Sequence, residues 1–389
     1  MHKDILIDAT EEKKLIAQIQ KRTDIKAERL KRVLALPDLS RTEGSPLKEI
    51  VTRAKKVKSL EGFDDIKIPE IVPTEVLFDL FNMPPGHSAR SESDTYYVDE
   101  NHVLRPHDTV FWYYYLSHPE IKKRIENKEI LGAVCYGKVY RKDEIDRTHM
   151  NVFHQFGAWL IAPDDKKIIT PDDLKNALSD IATNVFGANF RFYEHQFPYT
   201  DPSYEMEAEI NGKWVEMVGS GIVRKSVLAN MGLTGYNGWA FGFGLERLAI
   251  ANMSLPDIRL LWSKDSRVVE RLKLGQKFIE VSKYPAVVRD ISFIIGKEVA
   301  LNNYYELVRD EAGDSGSVVN AQHSTTGVVE QVEKTDEYEN EGKFGADKKS
   351  YTFRIVYRSL EKTLTNEEVN KIHDRIVERT KQEFGAVVR

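Results

Sequence analysis

Two arginines about a hundred residues apart are the side chains of this 389-residue chain best placed to do chemistry. Arg141 ends the run Gly137-Lys-Val-Tyr-Arg141, with Asp143 two positions on and the return Phe153-His-Gln155 a turn later. Arg247 closes the glycine-rich run Gly238-Trp-Ala-Phe-Gly-Phe-Gly-Leu-Glu-Arg247. Bringing a carboxylate to the α-phosphate of ATP joins two anions, so such a site needs fixed positive charge, usually with Mg²⁺ across the phosphates. Arginine suits that task because its planar fork grips phosphate with two bonds and never loses its charge. Asp143 is placed to orient the ammonium or adenine side, and Phe153 offers a ring face to adenine. Glu205 and Glu216, on strand-like segments, are candidate metal or nucleotide contacts. Each residue alone is more often a surface ion pair; their joint order carries the inference.

The elements that must hold these groups are an antiparallel hairpin around residues 141–153 and a strand running into a helix at Arg247. Other nucleotide architectures fit poorly. No Gly-x-x-x-x-Gly-Lys-Ser/Thr loop occurs, and Gly242-Phe-Gly244 lacks the third glycine of a dinucleotide fingerprint. His87, His107, His149 and His154 match no common zinc spacing.

Composition bounds the rest. Hydrophobic residues make up 41% and charged residues 30%, which describes a globular protein, and no apolar run is long enough to cross a membrane. Cys135 is the lone cysteine, so no internal disulfide forms. That, and a start carrying acids without a long apolar stretch, point to the cytoplasm. A net charge of −5 argues against indiscriminate coating of nucleic acid, yet leaves room for local basic patches at Lys26–Arg32 and Arg53–Lys58, which also read as solvated helix faces.

Residues 1–44 read as a helical segment, with Leu15, Ile19, Ala27, Leu30 and Leu34 at helical spacing. Residues 45–265 form a mixed unit in which Thr170-Pro-Asp-Asp173 starts a helix. After a linker at 266–281, the pattern changes. Strands are predicted over Val287–Ile295, Ser317–Val332 and Ser350–Tyr357, with helices over Leu301–Ala312 and from Thr365 to about Phe384, and a last strand in 386–389. The order β-α-β-β-α-β is that of a ferredoxin-like domain at 282–389. The fold class is thus α+β.

Further blocks carry a resemblance. The two arginine elements resemble the second and third motifs of class II aminoacyl-tRNA synthetases, and Gly62-Phe63 to Pro69-Glu-Ile71 resembles the first. Asn82-Met-Pro-Pro-Gly-His-Ser-Ala-Arg90, Asp94-Thr-Tyr-Tyr97, Leu104-Arg-Pro-His107, Phe197-Pro-Tyr-Thr-Asp-Pro-Ser203, Trp214-Val-Glu-Met-Val-Gly-Ser-Gly221 and Pro256-Asp-Ile-Arg259 resemble the catalytic chain of phenylalanyl-tRNA synthetases. Residues 282–389 look like that family's ferredoxin-fold anticodon-binding domain. The fusion resembles the single-chain, mitochondrial-type architecture, which implies a monomer.

The resemblance implies a class II antiparallel sheet flanked by helices, with ATP and Mg²⁺, phenylalanine and tRNA(Phe) as ligands. It implies ATP contacts at Arg141, Asp143, Phe153, Glu205, Glu216 and Arg247, with Arg141, Arg247 and Glu216 catalytic. It places the amino acid against Thr109, Val110, Phe111 and Trp112, against Thr148, His149, Met150 and Gln155, between Phe197 and Tyr199, and over Ala240, Phe241 and Gly242. Glu205 and Glu216 would hold Mg²⁺. The chain departs from the family where Trp112 replaces a glutamine, Gly157 an acid, Tyr199 a phenylalanine and Asp108 a threonine. Loss of the glutamine and the acid removes partners for the ammonium, which the face of Trp112 would replace by a cation–π contact. Tyr351, Phe353 and Tyr357 share a strand face that serves either as sheet core, the reading given more weight, or as a stacking platform for bases.

Overall fold

The computed structural model describes residues 3–186, 189–210, 212–280, 284–312, 318–319, 325–359 and 362–389. In chain order the strands are β1 (Asp4–Leu6), β2 (Asp64–Lys67), β3 (Ile71–Pro73), β4 (His102–Leu104), β5 (Leu131–Tyr140), β6 (Val152–Pro163), β7 (Phe190–Phe197), β8 (Thr200–Ile210), β9 (Lys213–Val223) and β10 (Tyr236–Gly244). The C-terminal part adds β11 (Val287–Gly296), β12 (Val318–Val319), β13 (Thr325–Thr326), β14 (Val329–Tyr338), β15 (Lys348–Tyr357) and β16 (Val387–Val388).

An eight-stranded sheet of order β1-β2-β5-β6-β10-β9-β8-β7 forms the larger unit. It is antiparallel from β5 to the β7 edge, whereas β1 and β2 join in parallel. The N-terminal segment, expected to be helical only, therefore also supplies an edge strand. Helices Thr10–Lys21 and Ile25–Ala35 follow that strand.

Side-chain alternation explains how one sheet separates two cores. On β6, Val152, Phe156, Ala158 and Ala162 face one apolar cluster, covered by helices Pro46–Ala54, Pro171–Ile181 and Leu245–Met253. Trp159 and Ile161 face the other, covered by helices Phe111–Ser117 and Lys225–Asn230. On β10 the same period sends Trp239, Phe241 and Phe243 to the first cluster and Ala240 to the second. The helix that starts after Thr170 has a capping box with Asp173, as does the helix after Thr365 with Glu368. Such caps satisfy orphan N–H groups and contribute about 1 kcal/mol each.

The C-terminal unit is a four-stranded antiparallel sheet, β14-β15-β11-β16, packed on helices Leu301–Ala312 and Asn366–Phe384. Part of the strand predicted over 317–332 lies outside the described residues; β14 itself runs ten residues from Val329. Tyr351, Phe353 and Tyr357 are buried in this unit's core, so they pack the sheet and offer no face to bases.

The two units grip each other through the loop between β5 and β6. Asn302 donates to the Lys142 carbonyl (3.1 Å), Arg309 to the Glu144 carbonyl (2.7 Å), and the Val332 N–H to the Ile145 carbonyl (2.9 Å). Buried Glu330 accepts from Arg147 and Arg358. The basic run Lys26–Arg32 is neither a solvated face nor an open RNA patch: Arg29 and Arg32 pair with Asp310 of the C-terminal unit. Among the described residues no helix is long and apolar enough to cross a membrane.

Candidate active site on the face of the large sheet

A cavity of about 290 Å³ opens on the side of the sheet where Ala240 and Trp159 point. Its shape follows from one row across the strands. Register pairs Cys135 of β5 with Gly157 of β6, Gly157 with Gly242 of β10, Gly242 with Gly219 of β9, and Gly219 with Glu205 of β8. Three adjacent positions without side chains leave a trench in the sheet surface. Neighbouring groups fill its margins: a Cβ on Gly219 would meet the Phe197 ring at 2.8 Å, and a Cβ on Gly157 would meet Asp108 Oδ2 at 2.5 Å.

Both guanidinium groups face this cavity. Arg141 stands one residue past β5, where its N–H bonds to the Asn151 carbonyl and closes the hairpin (3.0 Å). Its Nε donates to the Pro106 carbonyl (2.9 Å), and its guanidinium lies 5.2 Å from the Phe153 ring centre. Arg141 is exposed to the cavity, yet the protein around it pulls its affinity for the proton down, with Arg247 adding repulsion. Arg247, in the first turn of helix Leu245–Met253, pairs with Glu216 Oε2 (3.1 Å).

Asp143, Thr148, His149, Met150, Phe153, Gln155, Phe197, Tyr199, Glu216, Ala240 and Gly242 also line the cavity, as do Thr109 and Trp112. The Asp146 carboxylate accepts from His149 Nδ1 (2.8 Å), and this bond raises the affinity of the imidazole for its proton. Gln155 Oε1 accepts the Asp108 N–H (2.9 Å), which fixes the amide's orientation and leaves its NH₂ as a donor. Phe197 and Tyr199 stack at 5.8 Å and 10°, while Trp112 meets Tyr199 edge to face at 6.1 Å and 88°.

Several expectations need correction. Val110 and Phe111 do not line the cavity. They begin the turn of helix Phe111–Ser117 that faces the core, where Phe111 packs edge-on against Trp159, whereas Thr109 and Trp112, three apart, share the cavity side. Phe241 borders the cavity, but its ring stacks on Trp239 (5.4 Å, 15°) in the core of the opposite sheet face, because successive strand residues alternate. Glu205 is outside the wall and pairs with His195 (3.1 Å). One face of Trp112 is covered by Trp159, stacked at 5.1 Å and 11°, and the residue as a whole is 1% exposed, so it offers an ammonium little ring surface.

Residues the sequence reading did not assign also line the cavity: His107, Asp108, Met217, Ser220, Gly244 and Glu246 among them. Glu246 accepts from the His154 N–H and from Nδ1 (2.6 Å), while His154 Nε2 accepts from the Leu39 N–H (2.9 Å). These bonds set the imidazole tautomer and tie the helix of Arg247 to the strand of Phe153. A buried acid beside Arg247 was the available sequence signal. His107 is held neutral: burial, then Arg141 and Arg105, push its pKa down to about 3.

For a metal, no cluster of three ligating side chains occurs among the described residues. Glu205 and Glu216 are close enough that, after burial, the charge of Glu216 raises the Glu205 carboxyl. Two carboxylates fit Mg²⁺, which takes one or two from the protein and the rest from phosphate and water.

Comparison with known proteins agrees with this arrangement. Residues 33–272 match the family described as tRNA synthetases class II core domain (F), and residues 282–389 match the ferredoxin-fold anticodon binding domain. The chain is 35% identical to the chloroplastic/mitochondrial phenylalanine–tRNA ligase of Arabidopsis thaliana, over 85% of this chain and 73% of that protein. It is 31% identical to the mitochondrial enzyme of Mus musculus (82% and 74%) and 30% identical to that of Saccharomyces cerevisiae (86% and 85%). The organellar names of these relatives overturn the cytoplasmic expectation; a lone buried thiol reports redox chemistry, not address. With its catalytic core and its anticodon-binding unit both matched, the chain belongs to the class II aminoacyl-tRNA synthetases, in the phenylalanine–tRNA ligase family.

Proposed function

We propose that the chain activates phenylalanine with ATP and transfers it to the 3′-terminal adenosine of tRNA(Phe). One observation carries this reading: two guanidinium groups from distant elements face a single cavity that continues into a trench walled by aromatic rings. Arg141 and Arg247 hold the phosphates from two sides and stabilise charge as the amino acid's carboxylate attacks the α-phosphate and pyrophosphate leaves. Phe153 stacks on adenine, and Asp143 lies on the adenine side. Glu216 in the wall, with Glu205 just beyond it, would hold Mg²⁺ together with the phosphates, and the ion would add neutralising charge there.

The ring of phenylalanine fits over Gly242, beside the Phe197–Tyr199 stack, with Ala240 at its far end. Gln155 donates to the substrate carboxyl or adenylate, and Thr109, Thr148, His149 and Met150 close the walls. The C-terminal unit binds the anticodon end of the tRNA, and the protein acts as a monomer. ATP–pyrophosphate exchange with a panel of amino acids, followed by charging of tRNA(Phe), tests the reading. Phenylalanine-dependent exchange and charging support it. Exchange driven only by another amino acid, or none at all, refutes it.

A further inference from the structure

Asp108 is a fully buried acid at the edge of the cavity with an oxygen that nothing satisfies. It is 1% exposed, and its Oδ2 has no hydrogen-bond partner among the described residues. A buried carboxylate without a partner costs several kcal/mol and persists only where something compensates it. Arg105 does not do so directly, because its Nε donates to the Lys138 carbonyl (2.9 Å) and no ion pair joins it to Asp108 among the described residues. Arg141 is held toward the Pro106 carbonyl.

The sheet makes room for this carboxylate. Gly157 and Gly242 are register partners on β6 and β10. Cβ atoms on them would stand 2.5 Å from Asp108 Oδ2 and 3.5 Å from Oδ1. The acid thus fills the space over Gly157, in the wall of the cavity that Arg141 and Arg247 also line. The loop is fixed by two bonds, from the Asp108 N–H to Gln155 Oε1 (2.9 Å) and from the Phe111 N–H to the Asp108 carbonyl (2.8 Å). Trp112, the other candidate for a cation, has one ring face covered by Trp159 and is 1% exposed overall.

We propose that Asp108 binds the α-ammonium group of the amino-acid substrate, its carboxylate reaching from the loop before helix Phe111–Ser117 into the gap over Gly157. The inference rests on reading the cavity as an amino-acid-activating site. It assigns Asp108 the task that an acidic side chain on β6 itself would perform, and accounts for Gly157: any side chain there would collide with the acid that has taken its place.

The test compares phenylalanine with 3-phenylpropionate, which keeps the ring and carboxylate but lacks the ammonium. In Asp108→Asn, nearly the same shape without the charge, KM for phenylalanine in ATP–pyrophosphate exchange rises about 10- to 100-fold, the range for a hydrogen bond between charged groups. KM for ATP and inhibition by 3-phenylpropionate stay as in the wild type, which also shows that the variant is folded. In the double variant Asp108→Thr with Gly157→Glu, an acid returned to β6 recovers most of the lost affinity. The proposal is overturned if phenylalanine and 3-phenylpropionate weaken equally, or if KM for phenylalanine does not move. Failure of the wild type to exchange with phenylalanine would instead overturn the functional reading.

Discussion

Replacing Arg141 by alanine tests the phosphate clamp most directly. Arg247 already shares its charge with Glu216 at 3.1 Å, so part of its field is spent. Arg141 makes no ion pair among the described residues; it is held by one carbonyl and one ring. A unit charge 4 Å from a phosphate oxygen is worth about 4 kcal/mol at an effective dielectric of about 20, and removing one such donor typically costs about 100- to 1,000-fold in rate. Arg141→Ala should therefore lower kcat/KM for exchange by about 100- to 1,000-fold, and Arg247→Ala by about 10- to 100-fold, because loss of Arg247 also frees Glu216. The fold should hold, since Arg141 contributes one hydrogen bond and one ring contact, about 1–2 kcal/mol together. Pyrophosphate exchange at saturating phenylalanine, with a melting curve for each variant, gives the answer. An Arg141→Ala protein that melts normally and exchanges within about fivefold of wild type would remove Arg141 from the chemistry, and a larger loss for Arg247→Ala would invalidate the reasoning from ion pairing.

Burial pushes the Asp108 carboxyl up to about 7, against the opposing pull of Arg105 and Arg141. Arg105, Cys135, Arg141, neutral His107, Gln155 and Tyr199 are the charged or polar groups around it. A proton on that acid removes the charge an ammonium needs, so KM for phenylalanine should worsen as pH falls through about 7, and Asp108→Asn should flatten the profile; an identical profile in both proteins would count against it. Burial alone would raise the Glu330 carboxyl, but hydrogen bonds from Arg147 and Arg358 hold it below the ordinary range. The stability it contributes is present above the ordinary glutamate pKa and is lost as pH falls toward the depressed value. Glu330→Ala, which leaves Arg259 buried beside Arg147 and Arg358, should cost about 3 kcal/mol at neutral pH and less in acid, read from denaturant melts; equal losses at both would contradict this. Gly238→Ala sets a Cβ against the Leu160 carbonyl oxygen of the neighbouring strand. It should lower the melting temperature by about 5–10 °C, and an unchanged melt would show that the strands can part there.

The sequence by itself determined the local pieces, because each depends on neighbours a few residues away. Thr170 with Asp173 and Thr365 with Glu368 start helices through bonds three residues long, and alternation along β15 marks its buried face. The two arginine motifs were legible in the same way, as a hairpin end and a strand running into a helix. What only the tertiary structure decided concerns the partners of single side chains across elements. Helix phase turned Phe111 into the core and Trp112 toward the cavity, where Trp159 then covered one of its faces. Sheet register aligned Gly157, Gly242 and Gly219, which are scattered over 86 positions of the chain, into one trench. Asp108 reads in sequence as a departure beside a missing acid; only the fold puts its carboxylate over Gly157. Local propensity follows from bonds and short-range sterics, whereas the partner of a charge in the interior is fixed by which strands and helices meet.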